Sequence, residues 1–496
     1  METNILKIAN KKVCVKTCDR SGRGIYAMQK ISPGDLIIQD TLYVAVVEDA
    51  NLSVACSGCL SKGGRLLCCS SCNVIHYCSE ECKRKDRLYH EYECKPFVRL
   101  KRTPPTSIRL ICRILIHRMN DPTSVSIILL MWLAILISSL QLSCLSFSSR
   151  ILKTSKPSHY LDRTMFKQEQ IETFAQMSMV VRECISQDAL LSASEMLDLF
   201  CRMTENSFSI LDGEMIAFGV GIYPNASLLN HSCHPNCVVI FENSKLMVRC
   251  IEPINNDQEL VINYVDLSLP VEERRKELRK QYFFSCNCES CEYYKSKDNI
   301  DPRSALRCQN SKCSNAIEPP SSLDLGEEEY TSTCKVCSRN IRYDVADVEK
   351  HISKSLQLYE KGTNLRDQDN LQAMSYFKQA FEIQKPLLHM ANYNLISTRK
   401  ALFDIYCNLN DWPTALSHSL AIVEAYRILY SRAHPLLGIQ IYATARIHMS
   451  MDNVDINKIV ELLREALKIL EVSHGFKHPF TKMVEMNLWD AHGELN

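Results

Sequence analysis

The pattern of hydrophobic and polar positions changes character along the chain. Near the start, Ser21-Gly22-Arg23-Gly24-Ile25-Tyr26-Ala27 leads into Ile31-x-x-Gly34-Asp35-Leu36-Ile37-Ile38, glycines in a turn followed by strand-like residues. Ile262-Asn263-Tyr264 is a second short β-like piece, ending in a tyrosine. Between the two, Pro122 to Ser149 carries no charge and holds the run Ile127-Ile128-Leu129-Leu130-Met131-Trp132-Leu133-Ala134-Ile135-Leu136-Ile137. By the usual threshold of roughly twenty apolar residues, hydropathy alone reads that stretch as a membrane span. From about residue 346 the chain turns helical, with weak self-similarity at about forty-four residues. Its markers are Ala373-Met374-Ser375-Tyr376-Phe377, Asp411-Trp412-x-x-Ala415-Leu416, Val460-Glu461-Leu462-Leu463, and His434-Pro435 against His478-Pro479.

Composition adds size and compartment. At 496 residues, 46% hydrophobic and 8% aromatic, the chain can form two or three domains with well-buried cores. A net charge of +1 gives no general attraction to nucleic acid or to a membrane surface, so DNA is not expected as a primary partner. The 25 cysteines are the outlier. They fall in short-range pairs, and METNILKIANKK lacks the apolar core of a signal peptide, which argues for a reducing compartment and zinc. A disulfide framework would use as many cysteines, but it calls for neither repeated C-x-x-C spacing nor a histidine.

Three clusters have metal spacing. Cys56-x2-Cys59, Cys69-x2-Cys72, Cys78-x3-Cys82 and His90-x3-Cys94 supply eight soft ligands, hence two tetrahedral sites, with Cys68 left over. Cys286, Cys288 and Cys291 need a fourth, remote thiol, and Cys233 in Asn230-His231-Ser232-Cys233 provides it; an isolated Asn-His-Ser run is more often an ordinary turn. Cys308-x4-Cys313 with Cys334-x2-Cys337 forms a plausible zinc ribbon. Ten cysteines remain for core or surface.

The order N-H-S-C-x-P-N, a strand ending in Tyr264, then C-x-C-x-x-C resembles the catalytic end of a SET domain, the fold of protein lysine methyltransferases. The eight-ligand cluster, with Tyr77-Cys78-Ser79 and the basic Lys83-Arg84-Lys85, resembles a MYND finger. A finger inserted between the glycine-rich start and the N-H-S-C half is similar to the SET-and-MYND-domain family, over nearly the whole chain. The resemblance implies an α+β multidomain protein. Its parts would be residues 1–50 (start of the SET domain), 51–98 (finger), 99–200 (helical insertion), 201–270 (catalytic core), 271–297 (post-SET zinc region), 298–345 (extra ribbon) and 346–496 (a helical domain of tetratricopeptide type). It also implies interleaved finger sites: Cys56, Cys59, Cys78 and Cys82 on one zinc, Cys69, Cys72, His90 and Cys94 on the other. Three structural zinc ions are then expected, with a fourth if the ribbon is loaded.

The same resemblance implies S-adenosylmethionine as cofactor and a lysine-bearing protein, histone or non-histone, as substrate. Gly22, Arg23 and Gly24 would let backbone approach the cofactor, Asn206, Asn230 and His231 would bind its amino-acid end, and Phe284 would stack near its adenine. Phe208, Tyr264 and Tyr282 would line the lysine channel, with the Tyr264 hydroxyl holding the amine in line with the methyl. Each aromatic could equally be core, its commoner fate. The rival class is a zinc-dependent interaction protein, a transcriptional co-regulator with a degenerate SET region. The finger would take a Pro-rich peptide or be purely structural, and the helical domain a chaperone or other peptide. The chain is expected to be a monomer in cytoplasm and nucleus, away from membranes.

One SET domain needs both its halves on the same side of a membrane, so residues 122–149 read as a buried helix or as a non-native stretch such as translated intron. The flanks lean to the second: Ser107-Ile108-Arg109-Leu110 resembles the family helix just before, while the expected Glu/Asn cofactor contacts are not recognisable around His159-Tyr160. Part of the cofactor pocket is thereby left open.

Overall fold

The computed structural model describes residues 11–18, 22–120, 168–185, 189–296, 299–320, 329–452 and 455–493. The segment 122–149 and His159-Tyr160 lie outside the described residues. Among the described residues no helix is long and apolar enough to cross a membrane. The chain divides into two compact units.

The first unit comprises Met1–His231, Asn236–Ile262 and Gln281–Phe283. β1 (Val13–Cys18) pairs antiparallel with β2 (Gly22–Ala27), where Gly22 sits at φ 69°, a left-handed conformation that favours glycine. β3 (Leu36–Asp40) and β4 (Val44–Val47) follow, the latter a wholly buried Val-Ala-Val-Val. The zinc-finger region then adds β5 (Leu67–Cys68), β6 (His76–Tyr77) and α1 (Glu80–Leu100), started by Ser79, whose side chain accepts from the Cys82 amide.

α2 (Thr106–Asn120) is buried from Ile108 to Ile116 and forms one core with β4, α3 (Gln168–Cys184) and α4 (Ala193–Asn206). A Ser192/Glu195 capping box starts α4. β7 (Ser207–Leu211), β8 (Ala217–Ile222), β9 (Asn230–His231), β10 (Cys237–Glu242), β11 (Lys245–Cys250) and β12 (Glu259–Ile262) complete three sheets, ordered β1-β2-β12-β9, β10-β11-β3 and β4-β8-β7. The glycine-rich start and the Asn230 segment, about two hundred residues apart in sequence, therefore share one sheet through β12.

The second unit comprises Ser232–Pro235, Asn263–Lys280 and Phe284–Asn496. It holds most of α5 (Val271–Tyr282), the short α6 (Glu289–Tyr293), and two hairpins, β13 (Leu306–Arg307) with β14 (Ala316–Ile317) and β15 (Glu329–Thr333) with β16 (Asn340–Asp344). Seven helices follow: α7 (Val345–Leu365), α8 (Asn370–Leu387), α9 (Tyr393–Asn408), α10 (Trp412–Leu429), α11 (Pro435–Met449), α12 (Ile456–Ser473) and α13 (Pro479–Gly493).

Neighbouring helices pack pairwise, α7 on α8, α9 on α10, α11 on α12 and α13 on α12. The repeat read from the sequence has a local cause. Asp344, Asp369, Asn392, Asp411, His434 and Asp455 each cap the helix that follows with a side-chain acceptor, and Pro413 and Pro435 fall in first turns, where the missing amide costs nothing. His478 Nδ1 accepts from the Phe480 amide just as His434 Nδ1 accepts from Leu436, so the paired His-Pro steps are paired caps. Ala373 and Ala415 are fully buried where helices cross.

Candidate active site and metal centres

The Asn230 segment is positioned by backbone pairing. Asn230 lies opposite Val261 and His231 opposite Ile262 in a parallel β9–β12 contact. The Asn230 amide donates to Arg23 O at 2.9 Å and to Glu259 Oε1 at 2.7 Å. Asn236, nearly buried, fastens the return of the loop: its Nδ2 donates to Glu259 O at 2.8 Å and its Oδ1 accepts from Val261 N at 2.9 Å. Gly24 closes the corner. A Cβ there would collide with Glu259 Oε1 and come within 3.0 Å of Asn230 Nδ2, so the site needs glycine for room.

Thus Gly22, Arg23 and Gly24 on β2 and Asn230 and His231 on β9 flank β12 in one sheet of the first unit. Asn206 ends α4 and turns its amide back onto Arg202 O at 2.8 Å. Phe208, next along on β7, pairs with Gly221 and meets Tyr223 edge-on, ring centroids 6.1 Å apart. Tyr282 is also in this unit, and burial pushes its phenol up to about 12. Tyr264 and Phe284 belong to the second unit.

Three residues at this site were not found by sequence reading. Glu259 fixes Asn230. Asp40, almost fully buried, accepts from the amides of Asn225 and Ala226 and from the Asn225 side chain at 2.8–2.9 Å, which sets the turn that leads into Asn230. Glu205, beside Asn206, is pushed up to about 7 by burial against the opposing charge of Arg202. Isolated acidic residues carry no spacing signal, so only the fold could bring them in.

The cysteine groups assemble as the spacing requires. A tetrahedral zinc with Zn–S near 2.3 Å has neighbouring sulfurs about 3.8 Å apart. In the finger, Cys59 and Cys78 are 3.6 Å apart and Cys78 and Cys82 3.5 Å; Cys69 and Cys94 are 3.9 Å apart, and Cys72 Sγ lies 3.7 Å from His90 Nε2. These are two interleaved quartets, Cys56/Cys59/Cys78/Cys82 and Cys69/Cys72/His90/Cys94, each with all donor atoms within 4.8 Å of one another. The side chains of Cys56 and Ser61 hold the Cys59 thiol down at about 4, in the thiolate form that a metal needs. Cys68 stays out of both, exposed.

In the second unit Cys233, Cys286, Cys288 and Cys291 form a third quartet, with Cys233 and Cys291 3.6 Å apart. Arg274, fully buried, donates Nε to Cys233 Sγ at 3.3 Å and Nη1 to Leu267 O and Leu269 O. With a divalent ion bound, its charge would offset part of the excess negative charge of four thiolates. Cys308, Cys313, Cys334 and Cys337 form a fourth. Every described cysteine carries a free thiol. The donor sets fit zinc in type, number and spacing.

A fold of short sheets built around Asn230, with cysteine quartets before and after it, is that of a SET-domain protein. The SET domain family model matches residues 22–265. Histone-lysine N-methyltransferase ASHR1 of Arabidopsis thaliana is 28% identical over 491 residues, covering 97% of this chain and 96% of its own. Histone-lysine N-methyltransferase SMYD3 of Homo sapiens is 28% identical over 462 residues, covering 92% of each chain. N-lysine methyltransferase SMYD2 of Bos taurus is 24% identical over 473 residues, covering 94% and 95%. The chain belongs to the SET-and-MYND-domain family.

Proposed function

We propose that the chain is an S-adenosylmethionine-dependent protein-lysine N-methyltransferase. The observation that supports this is the shared sheet that brings Gly22-Arg23-Gly24 and Asn230-His231 together, with Asn230 fixed by Arg23 O and Glu259 Oε1. In the family's pattern Asn230 and His231, with Asn206, would hold the amino-acid end of the cofactor, and Phe284 would stack near its adenine. When bound, the cofactor supplies an electrophilic methyl on a sulfonium.

The chain's own residues do the rest. A lysine amine has a reference pKa of about 10.4, and only its neutral form attacks a methyl. Phe208, Tyr264 and Tyr282, the aromatics that the family's pattern assigns to the lysine channel, would strip water from the amine and so favour that form. The Tyr264 hydroxyl would orient the amine for attack, which would make orientation the main source of rate. The substrate is a lysine of a histone or other protein. Three structural zinc ions would sit in the two finger quartets and in the Cys233 quartet.

The finger would take a Pro-rich peptide and the helical array a chaperone or other peptide, the chain acting as a monomer in cytoplasm and nucleus. Near-neutral charge and thiol-rich metal sites support that placement. The test is a mixed protein lysate incubated with the purified chain and methyl-labelled S-adenosylmethionine. Label on lysine peptides is expected; neither label nor cofactor binding would leave only the zinc-dependent interaction protein.

A further inference from the structure

The two hairpins between the Cys291 region and the helical array carry none of the residues assigned above to methyl transfer, yet they bring four thiols together. Cys308 and Cys337 Sγ are 3.7 Å apart, as are Cys313 and Cys334, close to the edge of about 3.8 Å for sulfurs on one tetrahedral zinc. A disulfide would need about 2.05 Å. Cys308, Cys313 and Cys334 are 2%, 6% and 1% exposed, so the thiols face one another in a core rather than solvent.

Each cysteine pair sits on a turn at a hairpin. The Cys308 amide bonds back to Asn315 O and the Cys334 amide to Arg339 O, and Asn315 Nδ2 points at Cys334 Sγ from 3.5 Å. An amide donor aimed at sulfur favours the thiolate that a metal needs.

We propose that Cys308, Cys313, Cys334 and Cys337 hold a further structural zinc ion, which ties the ribbon to the start of the helical array. Binding releases up to four thiol protons to solvent, and the four thiolates with Zn²⁺ form a centre of net charge −2. Without the ion two hairpins of two and five residues per strand have little to hold them. With it, the ribbon becomes a clip. Leu306 bridges to Leu388, the His389 amide donates to Ala305 O at 3.1 Å, His389 Nε2 lies 3.0 Å from Ser314 O, and Tyr393 N donates to Arg303 O at 2.9 Å. The loop between α8 and α9 is thus fastened to the ribbon. The ribbon's apolar core, with Ile341 and Tyr343, continues into Val348 of α7 and Leu395 of α9.

The experiment uses the full chain purified without chelators. Zinc per chain is measured in the wild type and in Cys334→Ser/Cys337→Ser, and hydrogen exchange is followed in peptides covering 303–320, 388–395 and the finger. The double variant should carry one ion fewer, with exchange at least tenfold faster in the first two regions and unchanged in the finger. Equal zinc in the two proteins overturns the site; one ion lost without faster exchange at 388–395 overturns the clip. Alkylation of the wild type, read by mass spectrometry, decides independently of variant folding. The four ribbon cysteines should be protected until a strong chelator is added, and prompt labelling without chelator overturns the proposal.

Discussion

Gly24 shows how much one missing carbon can matter. Its Cα lies where a side chain would strike Glu259 Oε1 and crowd Asn230 Nδ2, so Gly24→Ala must move the two groups that shape the corner. The strand pairing itself is untouched, because β2 pairs with β1 through backbone. The expected outcome is tenfold or greater loss of S-adenosylmethionine affinity by calorimetry, with thermal stability lowered by no more than about 1 kcal/mol. Tyr264→Phe removes only an oxygen. If Tyr264 aims the amine, turnover should fall on the order of a hundredfold while cofactor affinity stays within about twofold. Equal turnover in that variant takes Tyr264 out of its role.

Glu205 gives a pH dependence whose sign can be worked out. Burial raises its folded value to about 7, above the usual 4.3 or so of a free glutamate, so the folded chain keeps a proton that the unfolded chain gives up. Its contribution is fully present below about pH 4 and is lost as pH rises through 7. Glu205→Gln should therefore gain roughly 1 to 3 kcal/mol on the wild type at pH 8 relative to pH 5, allowing for partial exposure. Urea midpoints of both proteins at the two pH values check this, and the shared loss of zinc at lower pH cancels in the comparison. A constant difference between the proteins contradicts it.

At the scale of elements, what was legible in the sequence was what covalent spacing dictates. Ligand intervals in the cysteine quartets and the glycines before β3 are local and lie where the chain pattern puts them, while the Asp411-Trp412 and His-Pro steps, read only as repeat markers, prove to be helix caps. The illegible part depends on partners that only folding brings together. Arg113 of α2 is bracketed by Asp86 and Glu93 of α1, with N–O distances of 2.9 and 2.7 Å and all three side chains about 5% exposed or less. Tyr77 donates to Asp86 at 2.8 Å, and Arg113 also reaches Ala45 O on β4 at 3.1 Å. The finger's helix is thus locked to the SET core by one cation between two carboxylates, none of which any motif marks. Arg113→Met would strand two buried carboxylates, a loss on the order of 3 to 5 kcal/mol. Adding Asp86→Leu and Glu93→Met should restore much of it, because apolar packing often replaces a buried ion group at no net cost. A single variant as stable as the parent in urea would show that the cluster is not the lock.

For the whole molecule the division that matters is between what zinc folds and what side-chain packing folds. Residues 56–94 hold two quartets in a segment with few buried apolar residues besides its ligands, so bound zinc would supply most of its stability, on the order of 10 kcal/mol per site. The helices α8 to α13 hold none of the quartets. Their stability comes from caps at nearly every start and from buried positions such as Phe377, Ile405, Ile441 and Leu463. The sequence showed this contrast as a change from cysteine pairs to a repeating helical pattern, and it could not show how one unit would interleave pieces of three sequence segments. The two kinds of folding should come apart on chelation. A strong zinc chelator at neutral pH should abolish methyl transfer and exchange protection in 56–94, yet leave more than half of the far-UV helical signal and the protection of α10 to α13. Calorimetry of the metal-loaded chain should then show more than one transition, only the zinc-bearing part shifting with metal. A single cooperative transition lost as a whole on chelation would mean that zinc sets the stability of the helical array as well.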